Sequence, residues 1–435
     1  MRESRSPSAA MPAASSASKT SSERLHALDA LRGFALLLGV VLHATLSFVP
    51  GFKYTGWPII DNSPSATLGL AFFVIHLFRM PIFFLLAGFF ARRQFHRQST
   101  KGFLKERAKR ILLPLVFGFV LVAPMNVLLI VVVIMPNLKE PLTSLVPERK
   151  ILPIPLAHLW FLWVLYWYYL LFLGARKLSS LLSKGEGASV SGIVERALTW
   201  SCSRGLEPVI LALPLATSLF FFDPWHLWEG VPTPNMDLVP QLPVFVGYGV
   251  AFVFGWFLQK HSHFMLGWRQ RWGTYLILAL VVTAVMTSLG GFTPQSSLVI
   301  VDGAPKLTPL VGTAKLLCAL GYGLSAWLWA LGLIGASLHF FSEFSPWRRY
   351  LSDSSYWLYI IHLPLIMALQ ALMMDWPLHW GLKYPLILAS AVPVLLLSYH
   401  YLVRSTWIGV MLNGRSLPRT IAPKSELQGA NAEVG

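Results

Sequence analysis

The chain has 435 residues, of which 55% are hydrophobic and only 12% are charged. Soluble globular proteins carry about twice that share of charged residues, and the apolar residues here form repeated stretches of about 20, long enough to cross a hydrocarbon core. Composition therefore excludes a soluble fold and predicts a membrane protein. The formal net charge is +16. Because the basic residues lie mostly between apolar stretches, they indicate membrane topology and anionic membrane lipids as partners, with no nucleic acid.

The apolar stretches predict an all-α polytopic integral membrane protein with about ten transmembrane helices. Residues 1–23 are rich in Ser and Ala and predict a disordered cytoplasmic tail. Residues 24–405 are predicted to form a single transmembrane domain, and residues 406–435 a cytoplasmic C-terminal tail. In chain order the predicted spans are 28–49, 69–90, 111–135, 157–174, 207–222, 240–259, 274–289, 310–341, 357–374 and 384–404.

The distribution of Lys and Arg predicts the orientation of these spans. With the N-terminus inside, the inner segments hold 25 of the 35 basic residues and the outer loops hold 6. An excess of this kind marks the cytoplasmic side, so both termini are predicted to be cytoplasmic. The remaining four basic residues lie within the predicted spans: Arg32, Arg79, Lys315 and Arg404.

The first span carries an arginine and a histidine on one face. Arg32 and His43 are 11 residues apart, so they lie within about 20° of one face and about 16 Å apart along the helix. His43 is expected in the outer half of the membrane. Arg32 is expected near the inner surface, with Asp29, one turn earlier, as its ion-pair partner. Ionisable residues at membrane depth mark functional sites, the alternative being structural hydrogen bonds between helices.

The second span places a histidine and an arginine three residues apart. His76 and Arg79 therefore share a helix face. His76 is expected at a depth close to that of His43, and Arg79 near mid-membrane, where a charge needs a polar cavity or an acidic partner. The alternative for Arg79 is a structural role, bonded to backbone carbonyls.

The fourth and ninth spans add further polar and aromatic residues. His158 and Trp160 open the fourth span at the outer interface. Tryptophans there commonly form an interfacial belt, and a platform that stacks on a sugar is the other interpretation. Tyr359 and His362 share one face of the ninth span and are expected in its inner half, with helix packing as an alternative to catalysis.

The basic inner loop at 91–110 ends in Arg107 and Arg110 at the mouth of the third span. The loop as a whole suits topology and lipid binding. For these two arginines we favour capture of an anionic group, because the guanidinium binds phosphate in a bidentate manner. The chain has no P-loop, GxGxxG, HExxH or CxxC pattern. We therefore predict no metal and no tightly bound cofactor.

Several of these motifs resemble the membrane acyltransferase-3 family. The resemblance runs from about residue 25 to residue 405, and one branch, the glucans biosynthesis protein C group, accounts for two of the stretches, 76–84 and 158–162. The stretches that carry the resemblance to the family as a whole are Arg32 to His43, Arg107 to Pro114 and Ser355 to Pro364.

The resemblance implies a ten-span bundle in the bacterial cytoplasmic membrane, in which His43 is catalytic and the inner arginines help to bind acyl-CoA. The branch is associated with succinyl transfer onto periplasmic glucans. We therefore predict an acyltransferase with acyl-CoA as donor and a hydroxyl of a periplasmic glucan or other exported glycan as acceptor. The acyl group could be acetyl, succinyl or another.

Two mechanisms fit these residues. His43 would act as general base on the acceptor hydroxyl or carry a transient acyl group. His76 or His158 would orient His43 or bind the acceptor, and Arg79 would stabilise the oxyanion or pair with a succinyl carboxylate. A transporter of a small anionic or acyl-bearing substrate is the main alternative, although the chain shows no paired broken helices in two related halves. A membrane scaffold is a third interpretation.

Overall fold

The computed structural model describes residues 13–55, 57–134, 156–182, 190–234 and 238–418. Within these residues the chain is almost entirely helical, with short 3₁₀ and π segments and one β-hairpin. In chain order the α-helices are α1 (Ala13–Thr45), α2 (Ala66–Phe95), α3 (Thr100–Arg107), α4 (Leu113–Leu129), α5 (Trp160–Leu182), α6 (Val190–Arg204), α7 (Glu207–Phe220), α8 (Leu242–Lys260), α9 (Phe264–Gly290), α10 (Gly312–Phe340), α11 (Pro346–Met373), α12 (Trp380–Ser398) and α13 (Trp407–Asn413).

Nine helical segments of the described chain are long and apolar enough to cross a membrane. They coincide with nine of the ten predicted spans and confirm the all-α polytopic membrane fold. The predicted fifth span is α7, whose 14 residues cover about 21 Å of a hydrocarbon core about 30 Å thick. The cytoplasmic placement of both termini stays a prediction.

The two predicted tails overlap helices. Helix α1 begins at Ala13, inside the predicted N-terminal tail, and α13 lies inside the predicted C-terminal one. Residues 1–12 and 419–435 lie outside the described residues. The predicted domain bounds stay predictions.

Helix α11 begins eleven positions earlier than the ninth predicted span. Ser345 caps it by accepting a hydrogen bond from the backbone N–H of Arg348, and Pro346 occupies its first turn. The charged residues of the first turns lower the hydropathy, so the apolar signal begins late. His362 therefore stands more than four turns, about 24 Å, along the helix. Its predicted position in the inner half of the membrane stays a prediction.

Helices α2 and α10 form the centre of the bundle. In the most apolar part of each of these two helices, 67% of the residues are buried. The corresponding share is 17% for the span Thr100–Val132 and 22% for α9, so these two spans face outward. Helices α2 and α8 touch backbone to backbone, because a Cβ at Gly88 would collide with the carbonyl oxygen of Phe252 and one at Gly255 with that of Leu85. The close approach fixes the helix that carries Arg79.

A two-stranded antiparallel hairpin interrupts the helical pattern between α9 and α10. Strands β1 (Leu298–Val301) and β2 (Ala304–Leu307) pair across a turn in which Asp302 and Gly303 have positive φ angles. Beyond the hairpin, the N–H of Leu310 donates to the carbonyl of Trp225 at 3.0 Å, which ties the segment to the loop after α7. The all-α prediction missed this element.

A buried ion pair joins the loop after α1 to helix α12. Lys383 Nζ lies 3.0 Å from each carboxylate oxygen of Asp61 and also donates to Asn62 and to the carbonyl of Met374. The side chains of Lys383 and Asp61 are 0% and 2% exposed. The pair therefore fixes the end of the bundle where α1 terminates, opposite to the basic loop 91–110.

Removing one member of this pair is expected to destabilise the fold. The Lys383→Ala change leaves the Asp61 carboxylate buried without a counter-charge, which costs about 3–5 kcal/mol. The Asp61→Asn, Lys383→Met double change should recover part of that loss. Thermal unfolding of the detergent-solubilised protein measures both variants. A Lys383→Ala variant as stable as the wild type would contradict this account of the pair.

Candidate active site

A chain of hydrogen bonds joins two histidines from different helices. His43 Nδ1 on α1 and His362 Nε2 on α11 are 2.7 Å apart, and the rings stack at 4.9 Å. His362 Nδ1 lies 3.0 Å and 2.8 Å from the carbonyl oxygens of Leu358 and Tyr359. Because a carbonyl oxygen only accepts, His362 Nδ1 carries a proton, and its Nε2 accepts from His43 Nδ1–H. In the neutral pair, Nε2 of His43 keeps a free lone pair.

A third histidine lies against this pair. The ring of His158 is 4.8 Å from that of His362 and 6.3 Å from that of His43. Its Nε2 donates to the carbonyl of Ile360 at 2.9 Å, and its carbonyl accepts from the Tyr359 hydroxyl at 2.7 Å. Its Nδ1 is buried and has no partner in the described part of the chain. His158 therefore presents a second unprotonated imidazole nitrogen.

A cavity of about 30 Å³ lies between these helices. It has room for water, so a larger ligand enters only if the lining side chains move apart. Six predicted site residues meet there: His43, Arg79, His158, Trp160, Tyr359 and His362. The whole lining consists of Leu36, Gly39, His43, Arg79, Met80, Phe83, His158, Trp160, Phe161, Tyr359 and His362.

Arg79 enters this cavity without a counter-charge. Its Nε is buried and has no hydrogen-bond partner, and no carboxylate pairs with it among the residues that the structure describes. Removing a guanidinium from water without a compensating charge is costly. The site therefore suits a group that brings or develops negative charge.

Gly39 makes the space that the Arg79 side chain occupies. A Cβ at Gly39 would lie 2.6 Å from Nη1 of Arg79. Leu36, Gly39 and His43 all line the cavity, so they share the α1 face that leads from Arg32. Sequence reasoning missed Gly39; a small residue one turn before His43 on the same face was the available signal.

Arg32 lies in a charged network at the basic end of α1, outside the cavity lining. It pairs with Asp29 at 3.2 Å, as predicted, and donates to the Ser352 hydroxyl at 3.0 Å. Arg349 bridges Asp29 at 3.3 Å and Asp353 at 3.2 Å. Sequence reasoning missed Arg349 and Asp353, because both precede the predicted start of their span. The side chain of Arg32 is 38% exposed, so an anionic ligand can reach it.

Arg107 and Arg110 contact different partners. Arg107 donates to the side-chain carbonyl of Gln94, whereas Arg110 pairs with Glu106 at 2.8 Å. A π-helical segment at Ala108–Leu112 begins between them and widens the turn. Phosphate binding at Arg110 would therefore compete with Glu106.

His76 stands outside the cavity lining. It stacks on Phe72 at 5.6 Å, and the backbone of Glu229 and Val231 lies beside its ring. It precedes Arg79 by one helical turn. Its catalytic role stays a prediction, and its surroundings connect it to the loop after α7.

Replacing His362 tests whether this residue positions His43. The His362→Leu change removes the acceptor for Nδ1–H of His43, so the tautomer with a free Nε2 loses its support. Turnover is expected to fall by up to about 10⁴-fold, the loss that follows when the group that orients a catalytic histidine is replaced. His362→Gln keeps an acceptor at similar reach and should recover part of the turnover with KM unchanged. Equal turnover in the wild type and the Leu variant would exclude this role.

The fold and the cavity define a polytopic membrane protein in which three histidines and an arginine from different helices meet. The chain belongs to the membrane acyltransferase-3 family, since the family model described as an acyltransferase domain matches residues 25–400. It is therefore a membrane acyltransferase.

Curated relatives cover part of the chain. The glucans biosynthesis protein C of Escherichia coli (strain SMS-3-5 / SECEC) is 32% identical over 144 residues, and that of Shigella dysenteriae serotype 1 (strain Sd197) is 31% identical over 144 residues. Each alignment covers 33% of this chain and 36% of the relative, so the chain matches little more than a third of their length. No solved structure matches.

Proposed function

We propose that this acyltransferase moves an acyl group from acyl-CoA to a hydroxyl of an exported glycan, across a bacterial cytoplasmic membrane. The observation that carries the proposal is the His43–His362 pair in a cavity with an unpaired Arg79. The pair supplies a base, and the guanidinium supplies a fixed positive charge beside it. Both would accelerate acyl transfer from a thioester to an alcohol.

The donor would dock at the basic end of the bundle. Arg32 is partly exposed there, and Arg107 and Arg110 follow the basic loop. All three could bind the phosphates of CoA. Leu36, Gly39 and His43 continue the face of Arg32 toward the cavity. The pantetheine arm would follow this face over about 16 Å and place the thioester beside His43.

In the chemical step, Nε2 of His43 would take the proton from the acceptor hydroxyl as its oxygen attacks the thioester carbonyl. Arg79 would stabilise the oxyanion of the tetrahedral intermediate. The C–S bond then breaks, the ester is released, and the imidazolium returns its proton to the CoA thiolate. His362 would hold His43 in the tautomer whose Nε2 is free to accept the proton.

Arg79 also bears on the identity of the acyl group. A succinyl group carries a carboxylate that could pair with the guanidinium, whereas an acetyl group carries none. The names of the relatives point to glucan as the acceptor. We therefore propose succinyl-CoA as donor and a glucan as acceptor.

The test uses purified protein in nanodiscs with succinyl-CoA or acetyl-CoA and a glucose hexasaccharide. A thiol reagent measures CoA release, and mass spectrometry identifies the ester. Acceptor-dependent release, faster with succinyl-CoA, is the expected result. Absence of release with either donor, together with no binding of either CoA thioester, would contradict the proposed donor class.

A further inference from the structure

At the end of the bundle opposite to the basic loop 91–110, side chains from three segments pack into one aromatic and polar cluster. The ring of Phe52 lies 5.2 Å from that of Phe72 and 6.1 Å from that of Trp228. Phe72 stacks on His76 at 5.6 Å, and Trp228 stacks on His226 at 5.7 Å. We call these five residues the opposite-end cluster.

Three members of the cluster carry buried polar atoms that have no hydrogen-bond partner among the residues that the structure describes. They are Nε2 of His76, Nδ1 of His226 and Nε1 of Trp228, and these side chains are only 9%, 8% and 8% exposed. Buried polar atoms in folded proteins almost always have a partner, either protein or water. Three such atoms in one ring-lined cluster indicate a place where a ligand supplies the missing hydrogen bonds.

The loop that carries His226 and Trp228 is fixed at several points. Trp225 Nε1 donates to the carbonyl of Gly230 at 2.7 Å, and the N–H of Val231 donates to the Tyr322 hydroxyl at 3.3 Å. The carbonyl of Trp225 accepts from Leu310 beyond the hairpin. These bonds hold the backbone of the loop in place, whereas the rings of Phe52 and Trp228, 7% and 8% exposed, have to move apart to admit a ligand.

The chemistry of the cluster suits a neutral polyhydroxylated ligand. Its five members offer ring faces and neutral nitrogen donors and acceptors, with no Lys, Arg or Asp among them. Glu229 ends the same 3₁₀ turn as Trp228, and burial raises the pKa of its carboxyl to about 7. Near neutral pH this carboxyl therefore both donates to and accepts from hydroxyl groups. Apolar rings with a few directed polar groups are typical of small-ligand sites.

We propose that the opposite-end cluster binds a sugar ring of the acyl acceptor. The rings of Phe52 and Trp228 would stack on the apolar face of the sugar, and the unpartnered nitrogens of His76, His226 and Trp228 would bond its hydroxyls. His76 precedes Arg79 by one turn, so a hydroxyl of the bound glycan lies one turn from the cavity. This inference rests on the proposed transfer to a glycan and assigns the residues that select the acceptor.

Binding without donor tests the site separately from the chemistry. Cellohexaose and laminarihexaose, two neutral glucose hexasaccharides, are titrated into the nanodisc protein by isothermal calorimetry. The Trp228→Phe change keeps a ring but removes the N–H, and we expect Kd to rise about fivefold. The Trp228→Ala and His226→Ala changes should raise it about tenfold or more. Trp376→Phe, an exposed tryptophan outside the cluster, is the matched control and should bind like the wild type.

Two outcomes would overturn the inference. One is a wild-type protein that binds neither hexasaccharide. The other is equal binding by the wild type and both the Trp228→Phe and His226→Ala variants, which would place the acceptor elsewhere. Failure of the proposed donor chemistry is distinguishable, because it abolishes CoA release and leaves hexasaccharide binding intact. If Trp228→Ala fails to fold, the conservative Phe variant still decides the matter.

Discussion

Replacing His43 with Ala is expected to abolish acyl transfer while leaving the fold and membrane insertion intact. The change removes the nitrogen that the hydrogen bonds through His362 leave free, which is the proposed base for the acceptor hydroxyl. General base catalysis alone contributes about 10²- to 10⁴-fold, and we expect turnover to fall by at least about 10³-fold. CoA release from succinyl-CoA in the presence of the glucose hexasaccharide measures it.

The matched control is His339→Ala. His339 lies on α10, where it is exposed, and it is absent from the cavity lining. This variant should release CoA like the wild type. Substantial transfer by the His43→Ala variant would show that another group is the base, and His158, with its unpartnered Nδ1, would be the first to examine.

Replacing Arg79 with Gln is expected to have an effect that depends on the donor. If the guanidinium pairs with the succinyl carboxylate, turnover with succinyl-CoA should fall about 10²- to 10³-fold, and turnover with acetyl-CoA should fall much less. A role confined to the oxyanion would lower both rates equally. The Arg79→Lys change keeps the charge but loses the fork geometry, and it should retain part of the rate. Initial rates with both donors measure the ratio.

The stability of the Arg79→Gln variant separates a functional charge from a structural one. Within the described part of the chain Arg79 has no counter-charge and its Nε has no partner, so neutralising it should leave the thermal unfolding midpoint unchanged or raise it. A structural arginine bound to backbone carbonyls would behave in the opposite way. A large fall in the midpoint together with unchanged turnover would contradict the proposed role.

Much of the fold and part of the site could be predicted from the sequence, because each rests on local signals. Long apolar runs determine membrane spans, and a charge or histidine inside such a run is conspicuous. His43 and Arg79 were found in this way, and the structure places both at one cavity. The Asp29–Arg32 ion pair follows from helical spacing alone.

The remaining features depend on contacts between distant parts of the chain. The His43–His362 hydrogen bond could not be predicted, because the polar first turns of α11 hid where that helix begins. A glycine is needed at position 39 because the Arg79 side chain, on another helix, lies where a Cβ would be. The packing of Trp228 against Phe52 joins loops that are far apart in sequence, so no periodic pattern of residues predicts it.

The most direct test of the account is a transfer assay across a sealed membrane. The protein is reconstituted into proteoliposomes with the glucose hexasaccharide trapped inside, and succinyl-CoA is added outside. Ester should form in this arrangement, on those molecules whose basic end faces the donor. No ester should form when donor and hexasaccharide are both confined to the outside. Ester that forms when both substrates are outside, and not when the membrane separates them, would contradict transfer from one end of the bundle to the other.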